Sequence, residues 1–122
     1  CEAFVRAYQQ FWASHSRLLH LRNSMADMLD QRMIMHRVEA TQPIIALLVA
    51  QMDADVADFR SPAYGMATMV MIGIERSATI VTDNRLHDLL GWTDQDDEQR
   101  YVRPGARLME LALREQRAGN AA

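Results

Sequence analysis

The stretch Ala63–Val81, AYGMATMVMIGIERSATIV, constrains this chain more than any other. At about 100° per residue, Met66, Met69, Val70, Gly73, Ser77 and Ile80 share one side of a helix. Ala63, Ala67, Met71, Ile74 and Ala78 share the adjacent side, and only a strip of Tyr64, Thr68, Glu75, Thr79 and Thr82 is polar. A helix of a small globular domain buries a stripe roughly 100° wide, and this one offers about twice that. It needs cover from two directions: the rest of the chain on one, a second copy or a ligand on the other.

The remaining segments supply the first cover. A chain of 122 residues is one domain by length. Five glycines, three prolines and no alternating β-type runs make it all-α, an antiparallel bundle of five to six helices. Phe4, Tyr8, Phe11, Trp12 and His15 recur at helical spacing and give the first helix an aromatic face. Ser14 or Ser16 caps a second helix with Leu18, Leu21, Met25 and Met28 on one stripe. Asp30 caps the third, in which Ile34, Val38, Thr41, Ile45, Leu48, Met52, Val56 and Phe59 fall within an arc of roughly 80°. Pro43 lies opposite that stripe, where it kinks the helix without ending it. The near-continuous apolar run from Ile44 to Val49 is expected to be the best-buried part of the chain.

Ser61 as N-cap and Pro62 at the first helical position then start the Met-rich helix. Its pattern runs on through Leu86, Leu89 and Leu90, loosening at Asp83-Asn84, to Gly91 as a left-handed cap. Thr93 with Asp96 resembles a capping box. The last helix carries Tyr101, Val102, Leu108, Met109, Leu111 and Ala112 on its apolar side, is kinked or restarted by Pro104-Gly105, and frays after Arg117.

Composition excludes several classes. A lone Cys1 forms no internal disulfide and suits a reducing, cytoplasmic setting. The longest apolar run, Ile44–Ala50, is too short to cross a bilayer, so no membrane association is expected. A net charge of −3 does not suggest direct nucleic-acid binding, and all thirteen cations being arginine reflects composition bias. No phosphate loop, nucleophile elbow or HExxH pair is present. His15, His20, His36 and His87 are scattered, and Asp53, Asp55 and Asp58 face different ways. No catalytic residue, metal ligand or cofactor is assigned, and an enzyme is not expected.

Nine methionines are the feature that remains. Methionine adapts its shape to variable partners. With Phe4, Tyr8, Phe11 and Trp12, the stripe of Met25, Met28, Met66 and Met69 either lines an elongated apolar cavity or forms a soft core. Gly73 costs about 1 kcal/mol relative to alanine in mid-helix. Either a helix or ligand comes close there, or the glycine relieves crowding. Glu75 and Arg76 form an intersubunit ion pair or a solvated edge. Arg22 and Arg37 pair with carboxylates or with an acidic ligand group, or lie solvated over packed stems.

Four segments together resemble the C-terminal regulatory domain of a TetR-family transcriptional repressor. They are the aromatic first helix, LLHLRNSMAD at Leu18–Asp27 with the long helix bearing Arg37, MIGIERSA at Met71–Ala78, and LLGW at Leu89–Trp92 before a final helix. Pro43 and Pro104-Gly105 depart from the family's pattern. The resemblance implies a homodimer with an effector pocket in its first four helices. DNA would be read only through an N-terminal helix-turn-helix domain that this sequence does not contain. It places a small, largely apolar effector among Phe4, Tyr8, Phe11, Trp12, Leu21, Met25, Met28, Ile34, Met66, Met69, Val70 and Gly73. It places the dimer interface at Ile74, Ala78, Val81, Leu108, Met109, Leu111 and Ala112. The alternative is a stand-alone helical dimerisation module with a solid Met-rich core and no effector. If the effector-and-dimer arrangement holds, Gly73→Leu is expected to block ligand entry or dimerisation; a normal dimer mass with unchanged ligand binding would contradict this.

Overall fold

Two side chains start the two longest helices where the sequence places them. Asp30 accepts from the backbone N–H groups of Arg32 and Met33, and Ser61 accepts from that of Tyr64 with Pro62 behind it. The computed structural model describes residues 1–91 and 98–121. They form α1 (Glu2–Ser14), α2 (Ser16–Asp27), α3 (Gln31–Gln51), α4 (Pro62–Val81), α5 (Asn84–Leu90) and α6 (Arg103–Ala121), with a π-helical turn, Glu98–Val102, leading into α6. No strand occurs among the described residues. The Thr93–Asp96 capping box falls outside them.

The chain departs from its periodicity in three places. The stripe continuing to Phe59 predicts a longer third helix, but α3 stops at Gln51. There Asp53 takes a left-handed φ of 55°, and the N–H groups of Asp53 and Ala54 return to the carbonyls of Ala50 and Val49. Those two bonds close the helix end. Asp55 and Asp58 then accept from the backbone N–H groups of Ala57 and Arg60, so these carboxylates organise turns rather than a helix end. The Met-rich helix likewise ends at Val81, with Thr82 donating its hydroxyl to the carbonyl of Ala78 at 2.8 Å, and α5 restarts behind Asp83. Gly91 follows α5 with a φ of 65°, as its pattern predicts. The last helix does restart next to Pro104, and it is helical to Ala121, past the Arg117 limit of the expected pattern. Arg117 donates to the backbone carbonyl of Gln51 and, at 3.2 Å, to its side-chain oxygen, tying α6 to the open end of α3.

Pro43 sits inside α3 as expected, on an exposed side, where the loss of one backbone donor faces water. α4 is the centre of the packing. Ala63, Ala67, Met71 and Ile74 meet Ile45, Leu48, Val49 and Met52 of α3, Val5 of α1, and Val102, Ala106, Met109 and Ala112 at the other flank. A smaller cluster of Trp12, Leu19 and Ala78 lies beside it, and Tyr8 touches both. The middle of α3 is buried on one side only: Ile45, Leu48 and Val49 are covered, but Leu47 is exposed. α3 is also the described helix with the length and mean hydropathy of a membrane span, contrary to the run-length reading. Its buried residues, Ile45, Leu48 and Val49, pack on α4, and it carries Arg37 and Glu39.

The α2–α3 turn has the same geometry as the end of α3. Leu29 has a φ of 64°, and the N–H groups of Leu29 and Asp30 bond to the carbonyls of Ala26 and Met25. Its side chain is exposed and therefore gains little from the position. A left-handed leucine carries strain that glycine does not. Leu29→Gly should stabilise the domain by about 0.5–1 kcal/mol, read as a higher urea midpoint at unchanged m-value.

Candidate functional site

α4 presents two concave surfaces, one on each side of its buried stripe. The first lies between α4 and α6. Met66, Met69, Val70 and Gly73 form one wall, Tyr101, Pro104, Leu108 and Leu111 the other, around a groove of about 700 Å³. Met69 is 66% exposed and Leu108 63%, so two neighbouring helices turn large apolar side chains outward along one face. A Cβ placed on Gly73 meets nothing within 4 Å. Crowding within the chain therefore does not explain the glycine.

The second surface is a polar cleft of about 840 Å³ between α2, α4 and α5. Its floor is an ionic junction. Arg37 of α3 bridges Asp27 of α2 (Nη1 to Oδ1, 3.5 Å) and Glu75 of α4 (Nε to Oε1, 3.4 Å). Glu75 is 8% exposed, so the pair forms inside one chain and does not bridge subunits. Nearby, the buried Arg22 donates twice to Asn23 Oδ1, at 3.1 and 2.9 Å. Burial holds its guanidinium below the ordinary arginine pKa, while Glu75 and Tyr8 pull it back up. Burial likewise pushes the Tyr8 hydroxyl above the usual phenol range against a hydrogen bond from Trp12. At the rim, His20 Nε2 and Thr82 Oγ1 are 3.0 Å apart. Hence Arg37 pairs with carboxylates while Arg22 bonds to the Asn23 amide oxygen, and His20 is a hydrogen-bonded histidine at the core edge. No group of three metal-ligating side chains occurs among the described residues.

The twelve residues expected around an effector do not converge. Trp12 is fully buried against Leu19 and Ala78 and meets His20 edge-on, with ring centroids 5.3 Å apart. Phe4 and Tyr8 pack on the core, while Met25 and Ile34 are half-buried. Phe11, Leu21 and Met28 point outward, Met28 at 81% exposure. Met66, Met69, Val70 and Gly73 stand instead on the α4–α6 groove.

The interface set needs the converse correction. Ile74, Ala78, Met109 and Ala112 are buried in this chain's own interior, so a partner cannot pack on them as on a free face. Val81 is half-buried, and only Leu108 and Leu111 of that set are exposed. One stripe of α4 is thus spent on the chain's own core, and the other lines the α4–α6 groove. A signal was available: the buried stripe is the one rich in alanine. Small side chains let α1, α3 and α6 approach the helix axis closely, whereas the stripe of larger Met66, Met69 and Val70 holds neighbours off. Glu75 was misplaced because a helical wheel shows it on the polar strip without showing Arg37 opposite.

Comparison with protein-family models, curated proteins and solved structures yields no match to this chain.

The junction predicts its own energetics. Arg37→Met leaves the Glu75 carboxylate buried beside fewer donors. Because the Arg37 side chain is 41% exposed, the cost should be about 1–2 kcal/mol, short of the ~3–5 kcal/mol for breaking a fully buried pair. Adding Glu75→Gln should recover most of it, measured as a double-mutant cycle by urea denaturation.

Proposed function

We propose that this chain is the regulatory domain of a TetR-type transcriptional repressor. It pairs with a second copy and binds a small, largely apolar effector that shifts the dimer between operator-competent and operator-incompetent states. The operator is read by a DNA-binding domain outside this sequence. The observation that carries this reading is the outward apolar face shared by α4 and α6, where Met69, Gly73, Leu108 and Leu111 lie uncovered. Contiguous apolar surface of this kind marks an interaction site, and one face repeated on two copies is self-complementary about a two-fold axis. Gly73, which nothing in its own chain crowds, gives a crossing helix room to approach.

Effector control fits the same helix. α4 carries Glu75 into the polar cleft and Gly73, two residues away, onto the free face. A ligand that favours one setting of α4 biases the spacing of the subunits by population shift. The second reading, a dimerisation module without an effector, is favoured by the dispersal of Phe11, Met28 and Met69 away from Trp12. Thermal-shift screening separates the two, since a ligand bound to the native state raises the midpoint by mass action.

The interface has a direct test. Wild-type protein should sediment as a dimer, and Met69→Glu/Leu108→Glu should sediment as a folded monomer with its helical circular dichroism retained. A wild-type protein that sediments as a lone subunit at high micromolar concentration overturns the reading.

A further inference from the structure

The side of α6 that faces neither the core nor the groove carries a line of arginines. Arg103, Arg107, Arg114 and Arg117 recur at i, i+4, i+11 and i+14 with Glu110 at i+7, so all five fall within an arc of roughly 80°. The stripe is centred roughly 110° round the helix from Leu108 and Leu111, so a copy seated on the groove does not need it. Between α6, the start of α1 and the end of α3, these five side chains line a cleft of about 730 Å³ together with Glu2 and Gln51.

Four arginines meet two carboxylates there, in a chain whose net charge is −3. Glu2 is already the partner of Arg6, at 3.8 Å. Glu110 is shared: Arg114 Nη2 lies 2.6 Å from its Oε1 and Arg107 Nη1 3.7 Å from its Oε2. Arg117 is held by Gln51, a neutral residue. Arg103 has no hydrogen bond or ion pair among the described residues. Arg107 is 60% exposed and Arg114 67%, so their remaining N–H groups are open to a ligand. The stripe is thus held in place from one side and left with surplus positive charge on the other.

Length and chemistry select the class of anion. From Arg103 to Arg117 the stripe runs about 21 Å along the helix, so a single phosphate or sulfate covers only one end of it. A nucleic acid is long enough, but its phosphate backbone brings no donor for Glu110 at the centre. Among the described residues no aromatic side chain lines the cleft to stack a base, and the exposed Asp53 lies two residues past Gln51. An acidic protein segment meets none of these objections. Its carboxylates match the guanidinium fork, its main-chain N–H groups suit Glu110, and the half-buried Leu113 gives it an apolar contact.

We propose that the outer stripe of α6 is a docking surface for an acidic segment of a partner protein, with carboxylates on Arg103, Arg107, Arg114 and Arg117 and a main-chain N–H on Glu110. The site depends on neither the effector nor the second copy.

Four probes test it: hexaglutamate, which spans about 20 Å when extended, hexalysine, an oligothymidylate of matched charge and inorganic phosphate. Each is titrated into the isotope-labelled full chain at low ionic strength and followed by amide chemical shifts. Hexaglutamate should shift the α6 amides from Arg103 to Arg117 in a saturable way, and should bind more weakly as salt rises. Arg103→Gln/Arg107→Gln should weaken it about tenfold. Arg32→Gln/Arg60→Gln, which removes the same charge elsewhere, should leave it within about twofold. Tighter binding of the oligothymidylate, or phosphate binding as tightly as hexaglutamate, overturns the proposal. So does an absence of saturable shifts on α6, equal weakening by the two double variants, or an unchanged hexaglutamate affinity in a folded Arg103→Gln/Arg107→Gln protein.

Discussion

The constraint on which this structure depends is the close approach that alanine permits along α4. Ala63, Ala67 and Ala78 remove side-chain bulk from one side of the helix, so α1, α3 and α6 pack near its axis and Met71 and Ile74 fill the remaining depth. Interiors are close-packed, and this stripe of small residues with Met71 and Ile74 is covered by neighbours from the same chain. Once that side is taken, the stripe through Met66, Met69, Val70 and Gly73 has nowhere to go but outward. The exposed face is a consequence of the core.

The same helix separates two kinds of surface. Toward α6 it is apolar and backed by the restart at Pro104, which brings Leu108 and Leu111 alongside Met69. Toward α2 it is ionic, with Arg37 as the common partner of two other helices. An arginine has the reach and the planar fork to serve two carboxylates at once. It therefore couples the positions of α2, α3 and α4 through one side chain. Burying Glu75 beside Arg37 has a desolvation cost that such a partner offsets. Asp27 and the head of Arg37 meanwhile keep contact with water.

Functionally, the two surfaces meet in α4 and nowhere else among the described residues. In the proposed function, a dimer contact and an effector contact would lie two residues apart on α4, a short route between binding and subunit spacing. The regulatory reading needs no long chain of intermediates for this reason. It needs only that α4 have two settings whose energies a ligand distinguishes.

The sequence by itself determined the helical class, the caps at Asp30, Ser61 and Gly91, the tolerance of Pro43 and the restart near Pro104. Each follows from the chemistry of one or a few neighbouring residues. It also determined that α4 has two apolar sides, because periodicity is a local property. Which side faces inward was decided only by the tertiary structure, since azimuth depends on how closely α1, α3 and α6 approach. Tertiary packing likewise decided that Ile74 and Met109 are core, that Met28 and Met69 stand apart, and that Glu75 meets Arg37. Those contacts join residues far apart in the chain. The early end of α3 belongs to neither extreme: the closing bonds at Asp53 are local, yet a left-handed aspartate is not a signal that periodicity contains.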